Sequence, residues 1–291
     1  MKNNIFLTII FLLVFLCITP QKANSQIVEV GASAGMSYYI GDINPGGHFR
    51  QPDMSFGAVV RCYDNLRWAF RLQYSNVNIH ADDETIYFRP ERGLNFKSKV
   101  NDVAFLAEFN FFDYWTGSNR DYITPYIFAG VSVFKFKTKA YDGQELRPLN
   151  TEGNFELDDN NGNIRFDEDG NPIPDLYNEY SVSVPFGVGL KYSMTSRLGM
   201  TLEWRMHKTF TDYIDDVSGL YKNKEYIDSE DYNTYTDPTG ISKPGMQRGN
   251  GAGNGFTNLG YNNDWFGILE FSIVYRFNLP KKEVCHSGIK I

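Results

Sequence analysis

The sequence predicts an all-β fold, a transmembrane eight-stranded antiparallel up-and-down β-barrel of the outer-membrane type. Three observations predict it. Aromatic residues make up 16% of the 291 residues, with 23 Phe and 19 Tyr, while hydrophobic content is an ordinary 42%. Mean hydropathy is only −0.38, too polar for a bundle of membrane helices. A barrel reconciles these values, because only alternate residues face lipid and aromatic girdles mark both interfaces. The second observation is a set of eight long stretches of period-two alternation. The third is the way their connections alternate between short and long. A formal net charge of −7 gives no reason to expect a nucleic-acid partner.

The chain opens with a segment that reads as a signal peptide over residues 1–25. Lys2 supplies a positive start, Ile5 to Ile18 is apolar apart from Thr8, and Ala23-Asn24-Ser25 is a small-x-small cleavage site. A lipoprotein signal at Cys17 would want a small residue before it, and Leu16 is not small. Cys62 and Cys285 remain after cleavage, a pair able to form a disulfide in an exported protein. Parity points Cys62 outward and Cys285 falls in the tail, which argues against the bond.

Strand character runs approximately over 28–40, 54–63, 66–79, 98–112, 122–138, 179–194, 197–210 and 264–277. A transmembrane strand needs about 9–11 residues. In the first strand Val28, Val30, Ala32, Ala34, Met36, Tyr38 and Ile40 share one face, against Glu29, Gly31, Ser33, Gly35 and Ser37. Met54, Phe56, Ala58 and Val60 likewise oppose Ser55, Gly57 and Arg61 in the second. Trp68, Phe70, Leu72 and Tyr74 oppose Arg67, Arg71, Gln73 and Ser75 in the third. The sixth, seventh and eighth strands follow the same rule. Each apolar face belongs against lipid and each polar face inside the barrel. Pro125 and Pro185 interrupt two strands and call for a bulge or a strand edge.

The barrel is expected over 26–277, with long loops about 41–53, 80–97, 139–178 and 211–263 and a tail at 278–291. The opposite end carries Asp64-Asn65, a Tyr114–Asp121 turn and Thr195-Ser196. Short periplasmic turns and long extracellular loops are the outer-membrane pattern. Eight strands leave an interior about filled by side chains, so the barrel should be plugged. Asp102, Glu108, Glu203 and Glu270 are expected inside it with Arg67, Arg71, Lys135, Lys191, Arg205 and Arg276. Buried charges need partners, so a salt-bridge core is favoured over an ion pathway.

No catalytic, cofactor or metal site emerges. His48, His80, His207 and His286 are scattered, and Ser/His/Asp sets cannot be assembled when Ser and Asp are this common. Asp158–Asn171 is rich in oxygen ligands but fails the EF-hand pattern; Asn-Gly and Asp-Gly are ordinary hairpin signatures. Asp212, Asp215 and Asp216 suit either a cation or an aspartate-capped turn at the barrel mouth.

Two segments carry a family resemblance. Gly35-Met36-Ser37-Tyr38-Tyr39-Ile40-Gly41-Asp42-Ile43-Asn44-Pro45 leads out of the first strand, and Phe210-Thr211-Asp212-Tyr213-Ile214-Asp215-Asp216-Val217-Ser218-Gly219 leads out of the seventh. With Pro185-Phe186-Gly187-Val188-Gly189, the chain resembles the PorG-like outer-membrane proteins of the Bacteroidetes type IX secretion system. The resemblance implies a non-catalytic barrel subunit with no small-molecule substrate. It would sit among outer-membrane lipids and anchor a periplasmic ring, built from a PorK-like lipoprotein and its PorN-like partner, to the cell outer membrane. The contact would use the periplasmic turns: Asp64, Asn65, Tyr114, Trp115, Thr195, Ser196 and the termini. A generic small barrel for adhesion or envelope integrity is the alternative. The chain departs from the usual barrel ending, since Phe277 is followed by Asn278–Ile291.

Overall fold

Successive side chains on a strand point to opposite faces, and here that alternation runs along eight long strands. They are β1 (Ile27–Ile40), β2 (Asp53–Tyr63), β3 (Trp68–Asp82), β4 (Asn95–Asn110), β5 (Ile123–Tyr141), β6 (Tyr180–Ser193), β7 (Leu198–Thr209) and β8 (Trp265–Asn278). This computed structural model describes residues 27–87, 89–141, 146–148, 154–155, 165–168, 170, 173–175, 177–217, 249 and 263–278. The expected signal peptide, most of 158–171, Gly219, Cys285, His286 and the tail beyond Asn278 lie outside the described residues.

Each strand pairs antiparallel with its sequence neighbour, and β1 closes the cylinder on β8 from Ile27↔Asn278 to Ile40↔Trp265. Closure leaves no unpaired edge, the condition a sheet must meet to stand in lipid. β3, β4 and β5 run further than expected at the long-loop end. A short strand, Leu146–Pro148, continues the wall beside β5. The one-turn helix α1 (Asp83–Ile86) follows β3 and is capped by the Asp82 carboxylate.

Neither proline required a bulge. Pro125 lies at the start of β5 and its carbonyl accepts from Phe111 N. Pro185 falls where the β5–β6 ladder lapses between Ala129↔Phe186 and Ser132↔Ser183, without a change of register. The missing N–H of proline thus costs the sheet a local gap and nothing more.

An apolar column covers the outward face of every strand. On β5 it runs from Ile123 to Val133. At about 3.3 Å per residue and a tilt of about 40°, that column is about 25 Å tall, the height of a transmembrane barrel's apolar band. Tyr38 lies on the outward face yet is fully buried. The first long loop folds back over it, with Phe49 4.7 Å away between ring centroids. Trp204 Nε1 donates to the Tyr38 hydroxyl at 2.8 Å. This needs Gly267, because a Cβ there would collide with the Tyr38 ring.

Candidate functional site

Inside the short-turn half, strand alternation delivers charged side chains from all sides. Four carboxylates (Glu29, Glu108, Glu203, Glu270) meet four cations (Arg61, Arg71, Lys191, Arg205) in one connected network of buried groups. Glu108 is its hub, 2.8 Å from Arg61 Nε, 2.9 Å from Arg71 Nε and 2.6 Å from Lys191 Nζ. Glu203 takes Arg71 Nη1 at 2.5 Å and the Tyr126 hydroxyl at 2.6 Å. Glu270 takes Arg205 Nη2 at 3.0 Å and Gln73 Nε2 at 2.6 Å. Lys191 also faces the rings of Tyr126, Tyr63 and Tyr114. The charges of these eight groups balance, so they form a neutral cluster, and pairing of this kind is what lets buried ions be tolerated.

Five of the six residues expected to form this network do so: Arg71, Glu108, Glu203, Arg205 and Glu270. Arg276 is inside but apart, donating to Thr116 O and stacked over Trp115. Two further expected lumen charges are corrected. Lys135 points outward, beside Glu179 and over the Tyr180 ring. Arg67 lies in the turn before β3 and bonds Asp113 at 2.7 Å in solvent. Glu29 and Arg61 were missed as members, although parity had placed both on polar faces.

The β4–β5 turn closes the lumen at the short-turn end. Tyr114 and Thr116 are buried, and Thr116 Oγ1 donates to Glu29 at 2.5 Å. Gly117, at φ +100°, lies against Ser196 O, and its N–H donates to Ser193 Oγ at 2.7 Å. Only glycine suits that backbone and that closeness. Tyr114 is therefore removed from the face offered to a partner, and Trp115 is half-buried against Arg276. Asp64, Asn65, Thr195 and Ser196 are exposed at that end. Asn65 Oδ1 and Thr195 Oγ1 cap their turns by accepting from Trp68 N and Leu198 N. Ile27 and Asn278 pair at the same end.

The long-loop end is closed by the two motif segments. Tyr39 projects into an apolar cluster with Phe96, Phe134, Phe266, Ile214 and Val217 among its members. Its hydroxyl stands 2.5 Å from Asp215 Oδ2 and 2.7 Å from Asp264 Oδ1. Asn44 Nδ2 donates to Tyr39 O and Gly47 O, and Gly41 N donates to Asn44 O. Gly41 packs against Tyr39 and Asp264, while Pro45 is half-buried. Arg92 Nη2 donates to Asp42 O and to Asp83 Oδ1. The second segment sets Thr211 O on Asp264 N. It stacks Tyr213 on Tyr177 at 4.6 Å and receives the Tyr177 hydroxyl on Asp216 at 2.6 Å. Asp212 lies in the same turn. Asp215 Oδ1 accepts from Val217 N and Asp264 Oδ2 from Ile214 N, so these two carboxylates cap the turn that plugs the mouth. Burial pushes the Asp264 carboxyl well above its ordinary range, aided by Asp215, Asp212 and Asp42.

His207 is buried between these halves, with Ser183 Oγ 3.0 Å and Asp102 Oδ1 4.0 Å from the same Nδ1 atom. A hydrolytic relay needs the serine and the carboxylate on opposite ring nitrogens. Both stand on one here, and no substrate reaches a fully buried group. Among the described residues no group of three His, Cys, Asp or Glu side chains could hold a metal ion.

A family profile described as "Domain of unknown function (DUF6089)" matches residues 6–155. The chain belongs to the DUF6089 family. The DUF6089 match spans β1 to β5, the first motif segment and the turn that closes the lumen. No curated protein sequence matches the chain. Among solved structures, it is similar to the N-terminal β-barrel domain of Pseudomonas aeruginosa OprF. That similarity has 9% identity and a TM-score of 0.36, covering 87% of this chain and 98% of that one. A major outer membrane protein of Thermus thermophilus gives 12% identity and a TM-score of 0.41, covering 87% and 100%. Ail of Yersinia pestis gives 10% and 0.37, covering 88% and 100%.

Proposed function

We propose that this DUF6089 protein is a non-catalytic barrel of the outer membrane that anchors a periplasmic assembly, the ring of a type IX secretion system. The observation that carries it is the sealed lumen within an apolar band. Among the described residues, a neutral salt-bridge network, a turn folded into one mouth and an apolar plug in the other fill the lumen. Such a barrel serves as an anchor and not as a conduit. The resemblance to PorG-like proteins supplies the partner, and its two motif segments meet in one built feature, the plug. The ring would contact the short-turn end through Asp64, Asn65, Thr195, Ser196 and the chain ends.

The test is affinity purification from mildly solubilised outer membranes, with partners identified by mass spectrometry. Recovery of the ring lipoprotein and its periplasmic partner is expected. Recovery of the barrel alone, from membranes whose ring is intact, assigns it instead to adhesion or envelope integrity. Planar-bilayer recordings should show no steady conductance; stable channels would overturn the anchor.

A further inference from the structure

Just beyond the apolar band, the outward face of β3, β4 and β5 changes character. The band ends on neighbouring residues, Tyr74↔Val103↔Val133. The next outward rows are Asn76↔Asn101↔Lys135, then Asn78↔Lys99↔Lys137, then His80↔Lys97↔Lys139. Five of these nine positions are lysine and none is acidic. Lys97 is 3.7 Å from Asp53, and Lys135 is 3.4 Å from Glu179. Lys99, Lys137 and Lys139 have no carboxylate within 4.0 Å among the described residues. Two pairs of like charges stand directly opposite, an arrangement that destabilises a sheet. Asp53 offsets the Lys97↔Lys139 pair in part, and no carboxylate among the described residues lies within 4.0 Å of either lysine of the Lys99↔Lys137 pair.

We propose that this lysine grid binds the phosphates of a lipid in the adjoining leaflet. This rests on the membrane-barrel reading above. The grid continues the columns of Val103 and Val133 without a break, so acyl chains lie on the band while the headgroup meets the lysines. Lysine stems reach along such a boundary with their charge in water. The three rows stand about 5, 10 and 15 Å above the band. That is taller than the headgroup layer of a simple phospholipid leaflet, about 5–8 Å. The geometry therefore fits a headgroup carrying phosphates at more than one height.

The test titrates the detergent-folded full protein with diphosphoryl lipid A and with a neutral phosphatidylcholine, reading bound lipid by native mass spectrometry. Preference for the diphosphorylated lipid is expected. Lys99→Gln/Lys137→Gln/Lys139→Gln should weaken its binding by about a hundredfold, the effect of removing three cations near an anionic lipid surface. The matching triple lysine-to-arginine variant should keep the preference. Equal binding of both lipids, an unchanged preference in the glutamine variant, or displacement by the same concentration of inorganic phosphate overturns the proposal. Mobility of unboiled samples on gels separates the two failures. A folded, heat-modifiable barrel without lipid preference sinks the grid alone, whereas a protein with no heat-modifiable form sinks the membrane barrel with it.

Discussion

On β4 the inward side chains are Asn110 and Glu108 near the short turns but Val100 and Phe96 near the long loops. The outward ones are Phe105 and Val103 at the first level but Lys99 and Lys97 at the second. β3 makes the same exchange, from Arg71 and Gln73 inside to Val77 and Ile79. On β5 the outward residues pass from Val131 and Val133 to Lys137 and Lys139, while Phe134 and Phe136 turn inward. The strands never change register, so the backbone is indifferent to the exchange. The surroundings decide it. Where the wall faces lipid, apolar groups gain nothing by turning inward and the lumen takes the polar residues. Where it faces water, apolar burial drives an ordinary core.

The sharpest way to break that comparison is to unbalance the lower half. Glu108→Ala removes a carboxylate shared by three cations: Arg61 keeps Glu29 and Arg71 keeps Glu203, but Lys191 is left without one. Removing one partner of a buried pair costs about 3–5 kcal/mol, and the loss of three ion contacts at once places this variant at the upper end. Urea unfolding followed by gel mobility measures it. Glu203→Ala removes one of two carboxylates from both Arg71 and Arg205 and should fall at the lower end of the same range. Unchanged stability in both would mean that the lumen is hydrated.

The upper half should respond to volume instead of charge. Ile214 is buried in the plug, and Ile214→Ala should cost about 3 kcal/mol through lost burial and the cavity left behind. The loss should appear as faster proteolysis of the long-loop end while the unboiled gel shift persists. Simultaneous loss of both signals would mean that the two halves unfold as one unit.

Most of this architecture was legible in the sequence. Long alternating stretches and the two tight turns marked the wall, and parity put Arg71, Glu203 and Arg205 inside. The departures have separate causes. Lys135 was placed in the lumen because charges were assumed to face inward along the whole strand. Lys135 continues the outward parity of Val131 and Val133, while the apolar Phe134 and Phe136 take the inward positions. Arg67 lies outside the lumen because the turn before β3 extends through Arg67 and the strand starts only at Trp68. Tyr114 failed because a turn read as surface folds into the mouth it borders. Ion-pair partners were beyond reach, since Gln73 meets Glu270 only once the barrel has closed.

Between these halves in size is the hydroxyl of Tyr39. It touches two carboxylates with one proton, so a carboxyl proton on the Asp215–Asp264 pair satisfies the second contact. Tyr39→Phe should cost the plug about 2 kcal/mol, the range for hydrogen bonds to charged groups. The pH dependence has a definite sign. Asp264 holds its proton in the fold well above its ordinary 3.8, so the folded state binds more protons than the unfolded one above that pH. Stability from this group is complete below 3.8 and is lost as pH rises through the raised value. Asp264→Asn, which mimics the protonated form, should flatten that slope in pH-dependent proteolysis of the long-loop end. A wild-type plug that strengthens with rising pH would contradict the shared proton.

The smallest effect should come from Arg67. Its contact with Asp113 is as short as several lumen pairs at 2.7 Å, yet both side chains are about half exposed, at 48% and 50%. Water already solvates each group, so removing one strands nothing. Arg67→Ala should cost less than about 1 kcal/mol, and raising the salt concentration should erase even that. Run beside Glu108→Ala in the same urea series, it separates distance from burial as the source of the lumen's strength. Equal losses in the two variants would place the stabilising charges in the turns. A wide gap would confine them to the sealed interior, where each ion lacks any alternative to its partners.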